Sequence, residues 1–369
     1  MVLYRKYRPQ NFGQVIGQNF IIQTLQGEIK FNRLSHAYLF AGPRGLGKTT
    51  VARILAKAVN CPNLDIKKEI EPCNQCSICQ EITSGSSLNL IEIDGASNRG
   101  INEIRELKEK VRFPPPTGKK KVFIIDEVHM LTTEAFNALL KTLEEPPEFA
   151  IFILATTEPH QLPETIISRC QRFDFKKVKA EEIINRLKMI VKEEKREVDN
   201  KVLEQIAFHS EGCVRDAESL LGQILSLSEG KITLDEASLV FPSENLDLLI
   251  EFSHLILEKK TSLAIKKINQ IMEEGIDLDQ FRENLLEFLR KILLLKQGVD
   301  LNNFNWSDAE MAKIKNLIKS VEINEIIEII EEFLKIPDFS RYSPVPQLPF
   351  ELCLLKLGAA PAYRQADNR

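Results

Sequence analysis

The chain has 369 residues, of which 43% are hydrophobic and 28% charged, enough apolar content for genuine cores and enough length for two or three domains. This balance excludes a disordered or collagen-like chain, and no apolar run reaches the roughly 18–20 residues that a membrane span requires. The net charge of −4 divides into +6 over residues 1–179 and −10 over 180–369, a basic front half suited to an anionic ligand and an acidic back half suited to protein contacts.

The opening MVLYRKYRPQ is polar and basic with no apolar stretch behind it, so no secretory signal is visible. With seven cysteines in such a chain, reduced thiols or a metal site are expected rather than disulfides, in a soluble cytoplasmic protein. Short apolar runs then alternate with helical patterns: strands are expected at 37–41, 88–93, 122–126, 150–155 and 171–175, and helices at 48–59, 101–111 and 135–145. The alternation predicts an α/β domain with a mostly parallel sheet. FPPPTGKKK (113–121) is expected to be a solvated basic loop, since its prolines exclude a helix interior. Beyond residue 178 the pattern is helical throughout, with a first set at 180–195, 201–211 and 214–227. Phe241-Pro242-Ser243 punctuates the chain before a second set that includes 246–258, 279–295 and 323–336, and the tail GAAPAYRQADNR is expected to be frayed.

Gly42-Pro43-Arg44-Gly45-Leu46-Gly47-Lys48-Thr49 fits G-x-x-x-x-G-K-[ST] between an expected strand and an expected helix, with Thr50 following in that helix. Glycines there let backbone N–H groups close on phosphate oxygens, and the helix N-terminus favours the anion. Lys48 would reach the β- and γ-phosphates of ATP and Thr49 would ligate Mg²⁺. The strand VFIID delivers Asp126 to the same sheet edge, where it would hold Mg²⁺ through water. The neighbouring Glu127 would orient or deprotonate the attacking water. Thr156 and Thr157 end the next strand, and either hydroxyl is a candidate for holding that water or the γ-phosphate. His129 is expected to pack or to support its neighbours rather than to act in catalysis. Arg169, in Ser168-Arg169-Cys170, and Arg215, opening a helix of the next segment, are candidates for contacting phosphate, with surface ion pairing as the plain alternative.

Cys61, Cys73, Cys76 and Cys79 are spaced C-x₁₁-C-x₂-C-x₂-C, which suits a closed, structural Zn²⁺ site. An iron–sulfur run would need a further cysteine where Thr83 stands, and uncoordinated thiols are the remaining alternative. Cys170, Cys213 and Cys353 are expected to be ordinary buried residues.

Seven segments in order, YRKYRPQNFGQVIGQ (4–18), HAYLFAGPRGLGKTTVARILAKAVNC (36–61), the cysteine cluster, IEIDGASNRGINEIREL (91–107), VFIIDEVHML (122–131), NALLKTLEEPP (137–147) and LPETIISRC (162–170), resemble the gamma/tau subunits of the bacterial DNA polymerase III clamp loader, a family of AAA+ ATPases. The resemblance is dense over residues 1–240 and continues beyond by layout. It implies an AAA+ phosphate-loop domain over 1–178 with a zinc module at about 61–79, a helical lid over 179–241, a helical collar over 242–358 and a flexible tail over 359–369. It also implies that Arg169 is an arginine finger acting in trans, that Thr157 and Arg215 take the two sensor positions, and that Tyr4, Arg8, Pro9, Val15, Ile16 and Gly17 lie near the adenine and ribose. The implied function is to use ATP to open a ring-shaped sliding clamp and load it onto primed DNA. The implied partners are delta- and delta-prime-type subunits and further copies of the chain in a five-membered ring. Arg99 and Lys119-Lys120-Lys121 are candidates for DNA phosphates, and no polymerase active site is expected. Two departures stand out: Gly42-Pro43-Arg44 is a slight variant of the family's loop, and the sequence ends without the long tau extension, as a gamma-like short form or a truncated piece would. The alternatives are another AAA+ motor, such as a branch-migration helicase or a helicase loader, and a ring subunit that binds ATP without turnover.

Overall fold

A computed structural model describes residues 2–65, 70–228, 230–237, 240, 246–299, 308–319, 321–336 and 343–358. The chain divides into two compact units, Met1–Phe241 and Pro242–Arg369. The expected Phe241-Pro242-Ser243 break and the tail from 359 onward lie outside the described residues.

In the first unit five strands, β1 (Ala37–Ala41), β2 (Leu90–Asp94), β3 (Lys121–Asp126), β4 (Ala150–Thr156) and β5 (Gln171–Asp174), form one all-parallel sheet in the order β2-β3-β4-β1-β5. Every residue of β1 and β4 is buried, as expected of central strands covered on both faces. One face carries Tyr38, Phe40, Val122, Ile124, Ile151 and Ile153 against α2 (Asn19–Lys30) and α3 (Lys48–Asn60). The other carries Leu39, Phe123, Ile125, Phe152 and Leu154 against α5 (Ile101–Val111) and α6 (Thr133–Glu144). The alternation follows from the period of two along each strand. A short α1 (Leu3–Lys6) precedes this core, and α4 (Ser77–Ser84) and α7 (Glu164–Ile167) complete the layers.

The edge strand β2 starts two residues later than its apolar run suggests. Leu88 is left exposed, while the buried Asn89 turns inward to donate its side-chain amide to Thr117. Asn60 accepts from the backbone N–H of Lys119 and of Lys120, so two asparagines hold the 113–120 loop. That loop is shorter than its composition predicts. Lys121 belongs to β3, is only 7% exposed, and its Nζ donates to the carbonyls of Lys110 and Phe113. The expectation of a solvated lysine, and with it a DNA-contact role, is corrected at this position.

Helices α8 (Ala180–Glu193), α9 (Asn200–His209), α10 (Val214–Leu225) and α11 (Leu234–Ala237) bury their own cluster around Leu187, Ile206 and Leu221. Leu3 from α1 belongs to that cluster, and Tyr7 and Ile16 pack on it, so the N-terminal segment is physically part of this helical layer. The second unit is all-helical among the described residues: α12 (Leu246–Leu257), α13 (Thr261–Glu273), α14 (Leu278–Lys296), α15 (Asp308–Lys319), α16 (Ile323–Leu334) and α17 (Leu348–Gly358). They enclose a core centred on Phe252, Phe281, Phe333 and Phe350.

Phe123 and Phe152 stack across β3 and β4 with centroids 5.1 Å apart, and both are fully buried. Phe152→Ala is expected to destabilise the first unit by about 3–5 kcal/mol. Denaturant unfolding followed through that unit's transition measures this, and an unchanged midpoint would show that the stack does not hold the sheet.

Candidate nucleotide and metal sites

Parallel strands deliver their C-terminal residues to one edge, where Ala41 is in register with Thr156 and Asp94 with Asp126. The phosphate loop leaves β1 at Gly42, whose N–H donates to the Thr156 carbonyl. Gly42 has φ 138° and a Cβ there would lie 2.5 Å from the Phe175 carbonyl oxygen, which only glycine tolerates. Gly47, left-handed at φ 94°, begins α3 with no side-chain cap, so the first-turn N–H groups face the loop.

Lys48, 6% exposed, donates its Nζ to the Gly42 and Pro43 carbonyls at 2.6 and 2.8 Å. Burial lowers its pKa, and the nearby Glu127 and Asp126 oppose that shift. Thr49 Oγ1 donates to Asp126 Oδ2 at 2.8 Å, bridging the start of α3 to the end of β3. Glu127 has φ 46° and ψ 47°, a left-handed backbone for a residue with a side chain. Gly95 makes this turn possible: its N–H donates to Asp126 O at 2.7 Å, and a Cβ on it would lie 2.7 Å from Glu127 O. Thr157 Oγ1 donates to Glu127 Oε2 at 3.1 Å, and His129 Nδ1 lies 3.1 Å from Thr156 Oγ1 and 3.6 Å from Glu127 Oε2. His129 therefore bonds to Thr156 and lies beside the Glu127 carboxylate from a 7% exposed position.

A cavity of about 640 Å³ opens over this edge. Of the residues expected from the sequence, it is lined by Tyr4, Arg8, Pro9, Val15, Ile16, Arg44, Gly45, Leu46, Gly47, Lys48, Thr49, Thr50, Asp126, Glu127 and Arg215. Arg8 Nε donates to Thr50 Oγ1 at 3.1 Å, and burial, with Arg53 nearby, brings its pKa down to about 10. Gly17, at φ 74°, packs against Val178 beside the cavity rather than lining it. Gly42, Pro43 and Thr157 also stand outside the lining, as does Arg169, which pairs with Glu144 at 2.5 Å and donates to the Thr165 carbonyl.

Three features were not legible in the sequence. Arg215 lies with its guanidinium carbon 4.6 Å from the centre of the Tyr4 ring, a cation–π contact, and the guanidinium groups of Arg215 and Arg5 beside the phenol lower the tyrosine's pKa. Arg186 and Glu218, both nearly buried, pair at 3.0 Å on the cavity wall, and Arg186 also donates to the Tyr7 carbonyl. Burial raises the Glu218 pKa against the pull of Arg186. Cys213 is part-exposed and touches the phosphate loop, its Sγ 3.4 Å from the Arg44 carbonyl oxygen, which corrects its expected place as an ordinary buried residue. These contacts join residues more than 30 positions apart with no local pattern to announce them.

The four cysteines converge, with all Sγ atoms within 4.8 Å of one another. Zn–S bonds of about 2.3 Å in a tetrahedron require S···S separations of about 3.8 Å, so a slight contraction accommodates the ion. The N–H groups of Cys73, Cys76 and Cys79 point at the sulfurs of Cys61, Cys73 and Cys76 at 3.4–3.5 Å, the pattern that stabilises thiolates. Cys61 caps the C-terminus of α3 and Cys76 caps the N-terminus of α4, so two helix ends carry the cluster. The donor set fits zinc.

Residues 17–179 match the family described as "DNA polymerase III, delta subunit", residues 182–230 the "DNA polymerase III clamp loader subunit, ATPase lid domain", and residues 245–367 "DNA polymerase III subunits gamma and tau domain III". The chain is 42% identical over 365 residues to DNA polymerase III subunit tau of Bacillus subtilis (strain 168), covering 99% of this chain and 64% of that protein. It is 38% identical over 371 residues to DNA polymerase III subunit gamma of Buchnera aphidicola subsp. Acyrthosiphon pisum (strain APS), covering 97% and 99% respectively. Against subunit tau of Escherichia coli (strain K12) the figures are 35% over 355 residues, 96% and 55%. The chain thus spans less than two thirds of those tau relatives and nearly all of the gamma relative. In fold it is similar to a solved structure of a Thermotoga maritima RuvB variant, with a TM-score of 0.50 and 19% identity over 76% of this chain and 91% of that one.

Gly45 has φ 78°, and a Cβ on it would lie 2.2 Å from Cys213 Sγ, 3.2 Å from Arg215 Cβ and 3.8 Å from Cys213 Cβ. Gly45→Ala is expected to weaken binding of a fluorescent ATP analogue by about tenfold or more, and adding Cys213→Ala to recover part of the loss by removing the clash while leaving the backbone strain. Equal affinities for the single and double variants would show that the sulfur contact does not limit the loop.

Proposed function

Because the chain belongs to the gamma/tau family of DNA polymerase III subunits, we propose that it is an ATP-hydrolysing subunit of a clamp loader, acting in the cytoplasm. The observation that carries this reading is the meeting of Lys48, Thr49, Asp126 and Glu127 in one cavity whose far wall bears Arg215. ATP entering the cavity offers its phosphates to the N–H groups of the loop and of the first turn of α3. Lys48 exchanges the Gly42 and Pro43 carbonyls for β- and γ-phosphate oxygens, a favourable trade for a buried ammonium ion. Thr49 and, through water, Asp126 would hold Mg²⁺, which neutralises phosphate charge. Glu127 accepts the proton of the attacking water, with the Thr157 hydroxyl at 3.1 Å fixing the orientation of its carboxylate.

Arg215 leaves the Tyr4 ring to reach phosphate from the lid side. Arg169 acts on ATP held by a neighbouring subunit and exchanges Glu144 for the γ-phosphate. Completion of each site by a neighbour's arginine links hydrolysis to the geometry of a five-membered ring with delta- and delta-prime-type subunits. ATP binding would open the sliding clamp for placement on primed DNA, and hydrolysis would release the loader. DNA contact would fall mainly on phosphates, so it would be salt-sensitive and independent of sequence. The cysteine cluster would hold Zn²⁺ as a structural ion.

Glu127→Gln is expected to keep ATP affinity within a few-fold of wild type while lowering steady-state turnover by at least about 100-fold. Turnover retained by this variant would remove Glu127 from the mechanism. For the trans arginine, Arg169→Ala and Lys48→Ala chains, each inactive alone, should regain a fraction of wild-type turnover when co-assembled with the partner subunits. The mixed ring contains sites with both an intact Lys48 and a neighbour's intact Arg169. Wild-type turnover by Arg169→Ala alone would overturn the assignment.

A further inference from the structure

The segment between α1 and α2 is held at both ends. At its start Leu3 is buried in the helical layer formed by α8 to α11, Lys6 Nζ and Tyr7 Oη both meet Glu194 at 2.7 Å, and Arg186 donates to the Tyr7 carbonyl. At its far end it meets the cysteine module. The Glu71 carboxylate, two residues before Cys73, accepts from Phe12 N–H at 2.6 Å through Oε2 and from Gly13 N–H at 2.9 Å through Oε1, while Gln26 Nε2 reaches Oε1 and the Ile70 carbonyl at 3.3 Å. A second tie runs from Asn74, inside the Cys73–Cys76 turn, to Lys57 Nζ at 3.1 Å and on to Gln10 Oε1 at 2.6 Å. Arg8 and Pro9, between these anchors, and Gln14, Val15 and Ile16, just beyond the second, line the cavity.

We propose that Glu71 is a positioning residue that couples the cysteine module to the nucleotide cavity, by holding the 8–16 strap in the place where it forms the cavity wall. The proposal rests on the reading of the cavity as an ATP site and of the four cysteines as a Zn²⁺ site. A carboxylate accepting two backbone N–H groups and a side-chain amide makes charge-assisted hydrogen bonds, stronger than neutral ones. The carboxylate is also fixed in direction, because the next residues enter the cysteine cluster. Metal bound at Cys61, Cys73, Cys76 and Cys79 therefore orders Glu71, Glu71 orders Phe12 and Gly13, and these set Val15 and Ile16. Thermodynamic reciprocity then requires nucleotide to hold the metal more firmly by the same factor. A rival route runs along α3, which begins at Lys48 and ends at Cys61. Only the strap route passes through Glu71.

The test uses the full chain loaded with Zn²⁺, with metal content measured directly. The partition of zinc between the protein and a chromophoric chelator is measured at equilibrium with and without saturating ADP, and ADP affinity is measured by fluorescent-nucleotide titration for wild type, Glu71→Ala and Glu71→Gln. The expected result is that ADP shifts the zinc transfer equilibrium toward the wild-type protein by about fivefold or more. Both variants should bind ADP about fivefold or more weakly, with Gln less impaired than Ala, and should lose the protection. Zinc transfer from the wild type indifferent to bound ADP would overturn the proposal, and that measurement needs no substitution. Protection that survives in both variants would also overturn it, assigning the coupling to α3. A chain that bound no ADP or no zinc would instead sink the site readings on which the proposal stands, so the two failures are distinguishable.

Discussion

The hydrogen bond from Thr49 Oγ1 to Asp126 Oδ2 ties together two strands that do not touch. β4 lies between β1 and β3, so the phosphate loop and the acidic pair start roughly two interstrand spacings apart, near 10 Å. α3 closes that distance by leaving Gly47 and passing over β4 and β3, where Val51 and Leu55 are buried among Ile124 and Ile153. The apolar face of α3 therefore fixes more than stability: it sets where the first-turn hydroxyl falls relative to the carboxylate. A sheet with another strand order could contain both motifs and still fail to bring a lysine, a hydroxyl and two carboxylates into one cavity.

The wall opposite that edge has a different origin. Tyr4, Arg8, Pro9, Val15 and Ile16 come from a segment with little regular structure, and its position is borrowed from its two ends. Leu3 contributes to the core of the helical lid and Phe12 to the core under the sheet, so the strap spans two hydrophobic clusters within the first unit. Burial of the two apolar anchors holds it at about 25 cal/mol per Å² removed from water. The ion pairs at Glu194 and Glu218 and the carboxylate of Glu71 then select one orientation. Arg186 of α8 and Arg215 of α10 both stand on the cavity wall, the first bonded to the Tyr7 carbonyl and the second over the Tyr4 ring, so these helices and the N-terminal segment share one set of contacts.

The parts that the sequence made legible are those in which a local pattern carries the physics. The strands from 37 to 175 stand out because buried parallel strands read as apolar runs, and the phosphate loop because its glycines occupy conformations that other residues avoid. The four cysteines converge as their spacing implies. What stayed hidden depends on tertiary partners. Lys121 looks like the third member of a basic loop, yet the Lys110 and Phe113 carbonyls and the edge of the sheet take it in. Cys213 carries no sign that its sulfur will rest on Gly45, and the Arg186–Glu218 pair joins α8 to α10 across 32 positions. Arg169 is the intermediate case: its motif marks it, but within the chain its guanidinium faces Glu144 and the Thr165 carbonyl rather than the cavity.

The backbone at Glu127 bears on how its carboxylate is held in direction. A left-handed conformation at a residue with a side chain costs about 1–2 kcal/mol relative to an ordinary turn, and something must hold it. The hold comes from outside the turn: Gly95 at the end of β2 presses its backbone against the carbonyls of Asp126 and Glu127, and its lack of a Cβ is what allows the approach. On the other side Thr157, just past β4, donates to the carboxylate, and His129 of the turn after β3 lies beside it. Three neighbouring strands thus contribute to the direction of one side chain. Relaxing the turn would release the local strain, but it would swing Glu127 away from Thr157 and uncouple it from the edge where Lys48 and Thr49 sit. The conformational cost is met during folding, by the packing of the sheet.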